Sequence, residues 1–190
     1  MEIPWLKPVV DAWQSSHEQE RLPHAVMLAG PRGTGKRCAA AWLARARLGL
    51  GQGGLPVYPA KPPEHADLRY LAPPDDKHTI GVDQVRELVA ELNLTSYEGG
   101  GKVAIIEPAD AMTTNAANSL LKTLEEPPSD AVILLIGTSE QKQLPTIRSR
   151  CQVIRFAPLS DAEASRLIRD VHQIEADPAE VAHAVEVAGG

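Results

Sequence analysis

The residues of this chain best suited to chemistry are Gly30-Pro31-Arg32-Gly33-Thr34-Gly35-Lys36-Arg37. A phosphate-binding loop has Gly, four residues, Gly, Lys, then Ser or Thr. Gly30, Gly35 and Lys36 keep that spacing, Gly33 lies inside it, and Arg37 stands where the hydroxyl belongs. In such a loop the glycines let backbone N–H groups turn toward phosphate oxygens, and the start of the following helix adds positive potential. Lys36 is the group that would reach the terminal phosphates. The missing hydroxyl is the one that normally holds Mg²⁺. A guanidinium has donors only and a fixed charge, so Arg37 cannot ligate a cation. The loop reads as built to cradle phosphate but damaged for hydrolysis.

A second position bears on the same chemistry. Lys102-Val103-Ala104-Ile105-Ile106-Glu107 reads as a buried strand with a carboxylate at its tip. An ATPase sets a metal-binding acid and a catalytic acid there. Here the pair is Glu107 and Pro108, and Pro108 cannot act as a base. Other candidates are weaker. His24 has no His, Cys or acidic cluster around it and reads as a structural loop residue. His65 and Asp67 invite a metal reading but lack a third ligand.

These residues need elements to hold them. Ala25 to Ala29 is a short apolar run, a buried strand, and the Ala-rich run from Cys38 to Leu48 is a helix. Before them, Met1 to Arg21 fits an amphipathic helix. The Gly- and Pro-rich stretch from Gly49 to Pro74 is loop, with a second strand entering near Asp67. A helix follows Gly81, with Val82, Val85, Leu88, Val89 and Leu92 on one face. Met112 to Glu126 is the cleanest helix, started by Thr113 or Thr114 and stopped by Pro127-Pro128. Ala131 to Gly137 is an apolar strand ending at Thr138, and Gln152 to Phe156 is a last short strand. Strands alternating with helices predict an α/β fold, a parallel sheet covered on both faces. Pro158 marks a boundary: residues 1–157 form the α/β domain, and residues 158–190 begin a helical one. In that second unit Ser160 caps a helix with Glu163 at the capping-box position, and a further helix runs from Pro178 to Val187.

Composition sets limits. The chain has 190 residues, with net charge −6 and only 4% aromatics. Such acidity gives no overall electrostatic reason to bind nucleic acid, so any DNA role runs through partners or a local patch. Cys38 and Cys151 lie far apart and make neither a metal spacing nor a disulfide framework. No stretch approaches the roughly 20 apolar residues needed to span a membrane, and no signal peptide is evident. The cytoplasm is the expected compartment.

Three segments carry a resemblance. His24 through Lys36 looks like the phosphate-loop region of bacterial clamp-loader AAA+ subunits. Asn118-Ser119-Leu120-Leu121-Lys122-Thr123-Leu124-Glu125-Glu126-Pro127-Pro128 resembles their most recognisable segment, and Ser149-Arg150-Cys151 resembles their Ser-Arg-Cys motif. With His65 and Ile80 through Arg86, the likeness is strongest to the delta-prime branch of the DNA polymerase III clamp loaders. The resemblance covers nearly the whole chain. It implies a P-loop AAA+ fold and a place in a hetero-pentameric ring with motor gamma/tau-type and delta subunits. That ring loads the sliding clamp onto primed DNA. It also implies that Arg150 is an arginine finger supplied to a neighbour's ATP site, and that Thr138 occupies the first sensor position. Arg37 and Glu107-Pro108 depart from the motor subunits and agree with the non-hydrolysing branch. No cofactor is required on this reading. The intact Lys36 leaves weak ATP or ADP binding without hydrolysis, and no metal site is expected. Many relatives carry a four-cysteine zinc module after the first helix. Residues 49–63 contain no cysteine, so zinc is not carried over. The family's C-terminal collar domain is also missing, so the chain reads as an N-terminal fragment. Two other classes stay open: a catalytically active AAA+ ATPase, and a nucleotide-binding regulatory module without hydrolysis.

Overall fold

A computed structural model describes residues 1–19, 21–51, 54–128 and 130–172. The helix expected from Pro178 to Val187 lies outside them. Five strands form one sheet: β1 (Ala25–Ala29), β2 (Leu68–Leu71), β3 (Lys102–Ile106), β4 (Ala131–Gly137) and β5 (Gln152–Arg155). Their order is β2-β3-β4-β1-β5, and every pairing is parallel. The helices are α1 (Lys7–Glu18), α2 (Lys36–Arg47), α3 (Val82–Leu92), α4 (Thr114–Glu125), α5 (Pro145–Arg148) and α6 (Asp161–His172).

Period-two alternation sorts the two cores. Val26 and Leu28 of β1, Val103 and Ile105 of β3, and Val132, Leu134 and Ile136 of β4 face one layer, with α1 and α2. Met27, Ala104, Ile106, Ile133 and Leu135 face the other, with α3 and α4. Both faces are covered, so every residue of β1, β3 and β4 is buried, while the edge strands β2 and β5 are only partly so. On the first face α2 presents Ala39, Ala40 and Ala44, small enough for the helix to lie close on the sheet. On the second, α4 contributes Leu120 and Leu124.

Element boundaries differ from the sequence reading in instructive ways. Helix α2 begins at Lys36, not Cys38, because the phosphate-loop lysine is already its first residue. A 3₁₀ turn, Pro4–Leu6, precedes α1. Helix α4 begins at Thr114, not Met112, and Thr113 is its cap: the side chain accepts from the Ala116 amide at 3.2 Å. At α6 the capping box forms in both directions, Ser160 N–H to Glu163 Oε2 at 2.8 Å and Glu163 N–H to Ser160 Oγ at 3.4 Å.

The loop between β2 and β3 explains His65 and Asp67. Asp67 is buried and accepts from Ser96 Oγ at 2.9 Å and from the amides of Tyr97 and Glu98 at 2.8 and 3.0 Å. His65 Nδ1 accepts from the Asp67 amide at 3.0 Å, and Nε2 faces Glu98 at 3.2 Å. Both residues are spent on holding the chain around Tyr97. Burial pushes the Asp67 carboxyl up, but the two amides, the Ser96 hydroxyl and nearby His65 outweigh it, and it lies below the usual carboxylate range. A depressed folded-state pKa means stability that is present above the unfolded value, ~3.9, and lost as pH falls through the folded one. Asp67→Asn should therefore cost about 1.5–3 kcal/mol near neutral pH and flatten the loss of stability on acidification. Denaturant melts of both proteins at neutral and acid pH measure this; equal midpoints at neutral pH would contradict it.

Candidate functional site

The carboxyl ends of the parallel strands gather the loops that follow β1, β3 and β4, the edge at which sheets of this kind bind ligands. A cavity of about 570 Å³ opens there. Its lining includes Gly33, Gly35, Lys36, Arg37, Glu107 and Thr138. That volume falls in the range of small-molecule sites.

The phosphate loop joins β1 directly to α2. Gly30 cannot carry a side chain, since an added Cβ would stand 2.2 Å from the Phe156 carbonyl oxygen. Gly35, at φ +95°, takes the left-handed conformation from which α2 starts. Trp5 Nε1 donates to the Thr34 carbonyl at 3.1 Å, so the N-terminal segment straps the loop from outside. Lys36 is buried, with its ammonium donating to the carbonyls of Gly30, at 2.7 Å, and Pro31. Burial lowers its pKa, and Arg32 adds to this, against the pull of Glu107 and Asp110. The ammonium thus rests on the loop's own carbonyls, at the place where it would meet a phosphate.

Arg37 crosses from α2 to the tip of β3. Its Nε donates to Glu107 Oε1 at 2.5 Å. Tyr70, on β2, donates its hydroxyl to Glu107 Oε2 at 2.6 Å. Both oxygens of the one strand-tip carboxylate are therefore engaged, and Pro108 beside it offers none. A Mg²⁺ ion does not fit this donor set, because its two customary protein ligands here are a cation and the carboxylate which that cation holds. The hydrogen bond to Glu107 raises the pKa of Arg37 further, so the guanidinium keeps its charge.

Thr138 stands at the tip of β4. Its amide and its hydroxyl both donate to Asp110 Oδ2, at 2.8 and 2.5 Å, and its Oγ1 accepts from Lys142 at 2.9 Å. Gln143 Nε2 donates to Asp110 Oδ1 at 3.0 Å. The hydroxyl's single proton is committed inside the protein. Sequence reasoning missed Asp110, Gln143 and Tyr70. Asp110 had a faint signal, an acid just past a strand tip. Tyr70 had none, because only the neighbouring of β2 and β3 brings it to Glu107.

Arg150 is not among the residues lining the cavity. The small flanks of Ser149-Arg150-Cys151 lead one to expect a projecting side chain. Instead the guanidinium turns back: Nη2 pairs with Glu125 at 2.6 Å, and Nη1 donates to the Thr146 carbonyl at 2.9 Å and to Ser149 Oγ at 3.2 Å. An exposed fork of donors takes the nearest acceptors, and α4 ends beside it. Burial pushes the Cys151 thiol up to about 12 and also raises that of Cys38, so both are packed thiols rather than nucleophiles. Among the described residues no group of three His, Cys, Asp or Glu could hold a metal, and no helix is long and apolar enough to cross a membrane. His24, on the way into β1, is tied to the Leu124 carbonyl at 3.1 Å.

The Tyr70–Glu107–Arg37 contact has a spectroscopic consequence. Burial first, then the hydrogen bond to Glu107 and its charge, raise the Tyr70 pKa well above the ordinary value. A raised folded-state pKa contributes stability present below the unfolded value of ~10 and lost as pH rises beyond it. Ultraviolet titration should find a late-ionising phenol that Tyr70→Phe removes and Glu107→Gln shifts downward. An unchanged curve in Glu107→Gln would contradict the contact.

Comparison with known proteins gives this site its family. The sequence profile described as "DNA polymerase III, delta subunit" matches residues 5–160. The chain is 40% identical over 169 residues to DNA polymerase III subunit delta' of Pseudomonas aeruginosa, covering 85% of this chain and 50% of that protein. It is also 40% identical over 171 residues to the subunit of the same name in Bacillus subtilis, covering 84% of this chain and 51% of that one. The chain thus spans about half the length of these relatives. Among solved structures, a DNA polymerase III gamma subunit-related protein of Thermotoga maritima superposes with a TM-score of 0.60 at 23% identity, covering 98% of this chain and 58% of that one. That likeness bears on the fold, which is the AAA+ arrangement. With a profile spanning most of its length and relatives of this identity, the chain belongs to the DNA polymerase III delta-subunit family, on its delta-prime side.

Proposed function

We propose that this chain carries the AAA+ portion of a clamp-loader stator. It binds in a hetero-pentameric ring beside motor gamma/tau-type and delta subunits, and helps load the sliding clamp onto primed DNA in the cytoplasm. It does not hydrolyse ATP itself; it lends Arg150 to the ATP site of a neighbour. The helical lid begins after Pro158, with α6. The observation that carries the reading is the Arg37–Glu107 contact, which fills the metal position with a side-chain cation and occupies the carboxylate a metal would need. Pro108 removes the base, and Thr138 is engaged by Asp110. The net charge of −6 agrees with contact to DNA made through the assembly. Arg150 suits its role because a guanidinium is always charged and grips phosphate oxygens as a planar fork. The cavity and the intact Lys36 support a second element of the reading: weak binding of ATP or ADP, without hydrolysis, without zinc and with no cofactor required.

Two outcomes test this. Phosphate release by the purified protein should stay at background, and Arg37→Thr alone should not restore turnover, since Pro108 still lacks a carboxylate. Steady turnover that Lys36→Ala abolishes would overturn the stator reading. In a reconstituted ring in which only this subunit is changed, Arg150→Ala should leave the subunit's stability within about 0.5 kcal/mol. It should slow ATP hydrolysis, since fingers supplied in trans contribute roughly 10³–10⁵-fold at the site they serve. The loss in total rate will be smaller, because other sites keep their own fingers. Arg150→Lys should rescue poorly. Unchanged hydrolysis in an intact ring would make Arg150 a structural residue.

A further inference from the structure

Arg150 follows the C-terminal end of α5, beside the residue that ends α4. The arrangement there has a feature that the Ser-Arg-Cys motif alone does not contain. Arg150 is mounted rigidly. Its amide donates to the Ile147 carbonyl at 3.1 Å, Ile147 is fully buried, and the Cys151 side chain beside it packs against the core on the α4 face of the sheet. Glu125 is mounted as rigidly. It is the last residue of α4, follows the buried Leu124, and precedes Pro127-Pro128. The Leu124 carbonyl, which has no partner within the helix, is met by His24 Nε2 at 3.1 Å. Two fixed backbones thus carry two opposite charges that meet at 2.6 Å.

We propose that Glu125 is a positioning residue for Arg150. It holds the guanidinium at the α4–α5 corner in one orientation, so that a phosphate of the neighbouring subunit meets a fork already aimed. This rests on the reading of Arg150 as a finger. The donor count supports it. A guanidinium has five N–H groups. Nη1 is spent on the Thr146 carbonyl and Ser149 Oγ, and Nη2 faces Glu125 as an ion pair. Among the described residues Nε–H has no partner, and it is a donor that a phosphate can take. The side chains are 34% and 50% exposed, and ion pairs in that range add little to stability. What the pair supplies is orientation. A long side chain free in solvent has many rotamers to lose when it engages phosphate, and one already held has fewer. The carboxylate does so at a cost: it puts a negative charge near an incoming phosphate. The proposal holds that the gain in orientation exceeds that repulsion.

The test uses the full-length subunit in the reconstituted ring, with Arg150→Ala, Glu125→Ala, the double variant and Glu125→Asp each in this subunit alone. Glu125→Ala should lower kcat for clamp-stimulated ATP hydrolysis by about two- to fivefold, a coupling in the usual range for residues in contact. KM for ATP should be unchanged, because ATP is held mainly by the neighbour's own loop. Glu125→Asp should recover part of the rate. The double variant should be no slower than Arg150→Ala, and thermal melting of the Glu125 variants should match the parent, as a merely structural role would not predict. Full activity of Glu125→Ala beside a slow Arg150→Ala overturns the proposal, as do multiplying effects in the double variant. Faster hydrolysis in Glu125→Ala also overturns it, and would make the pair a latch that withholds the finger. If Arg150→Ala itself runs at the parent rate in an intact ring, the finger reading fails first and this proposal falls with it.

Discussion

The contact between Arg37 and Glu107 is the constraint on which the site depends. The two residues stand 70 positions apart and belong to different elements, one in the first turn of α2 and one at the tip of β3. Read along the chain they are separate departures, a lost hydroxyl and a displaced acid. In the fold they are one interaction. The position that would hold a divalent cation is bridged by a fixed monovalent one, whose counter-charge is the carboxylate that the metal would have used. Tyr70 completes the arrangement from the next strand. Replacing the arginine leaves one carboxylate and a proline. Replacing the carboxylate leaves a guanidinium facing the cavity.

The contact is possible because the sheet holds its central strands so firmly. β1, β3 and β4 are buried along their whole length, and their tips stand side by side with little freedom. The loops that leave those tips are anchored again a few residues on. Gly30 lies against the Phe156 backbone after β5, Asp110 gathers Thr138 and Gln143, and the Trp5 indole closes over the phosphate loop. Chemistry that requires a loop to yield to a ligand would have to break several of these bonds, and the loop lysine is itself satisfied by backbone carbonyls.

The same rigidity extends to Arg150, at the corner between α4 and α5. The core of α4 and the short helix α5 fix the two backbones, and the charged pair between them fixes the side chain. Within one fold the cavity's own charges are turned on each other, while this arginine retains a free donor.

Much of this was legible in the sequence because it depends on local rules. Apolar runs of strand length, an Ala-rich helix, Thr113 as a cap and Pro127-Pro128 as a stop follow from periodicity and backbone chemistry, and the structure has each of them within a residue or two. By residue type alone, Arg37 cannot ligate a cation and Pro108 cannot act as a base, in any conformation. What the sequence could not determine is which charges meet. Tyr70 reaches Glu107 only because β2 lies beside β3. Asp110 reaches Thr138 only because β3 lies beside β4. Glu125 reaches Arg150 only because α5 lies against the end of α4. Strand order and helix docking are set by the burial of surfaces distributed along the whole chain, and a charged residue half exposed at an element's end carries no periodic signal of its partner. The sequence by itself determined what each residue is able to do; the tertiary structure decided to whom it does it, because only packing brings distant side chains within the few ångströms where hydrogen bonds and ion pairs act.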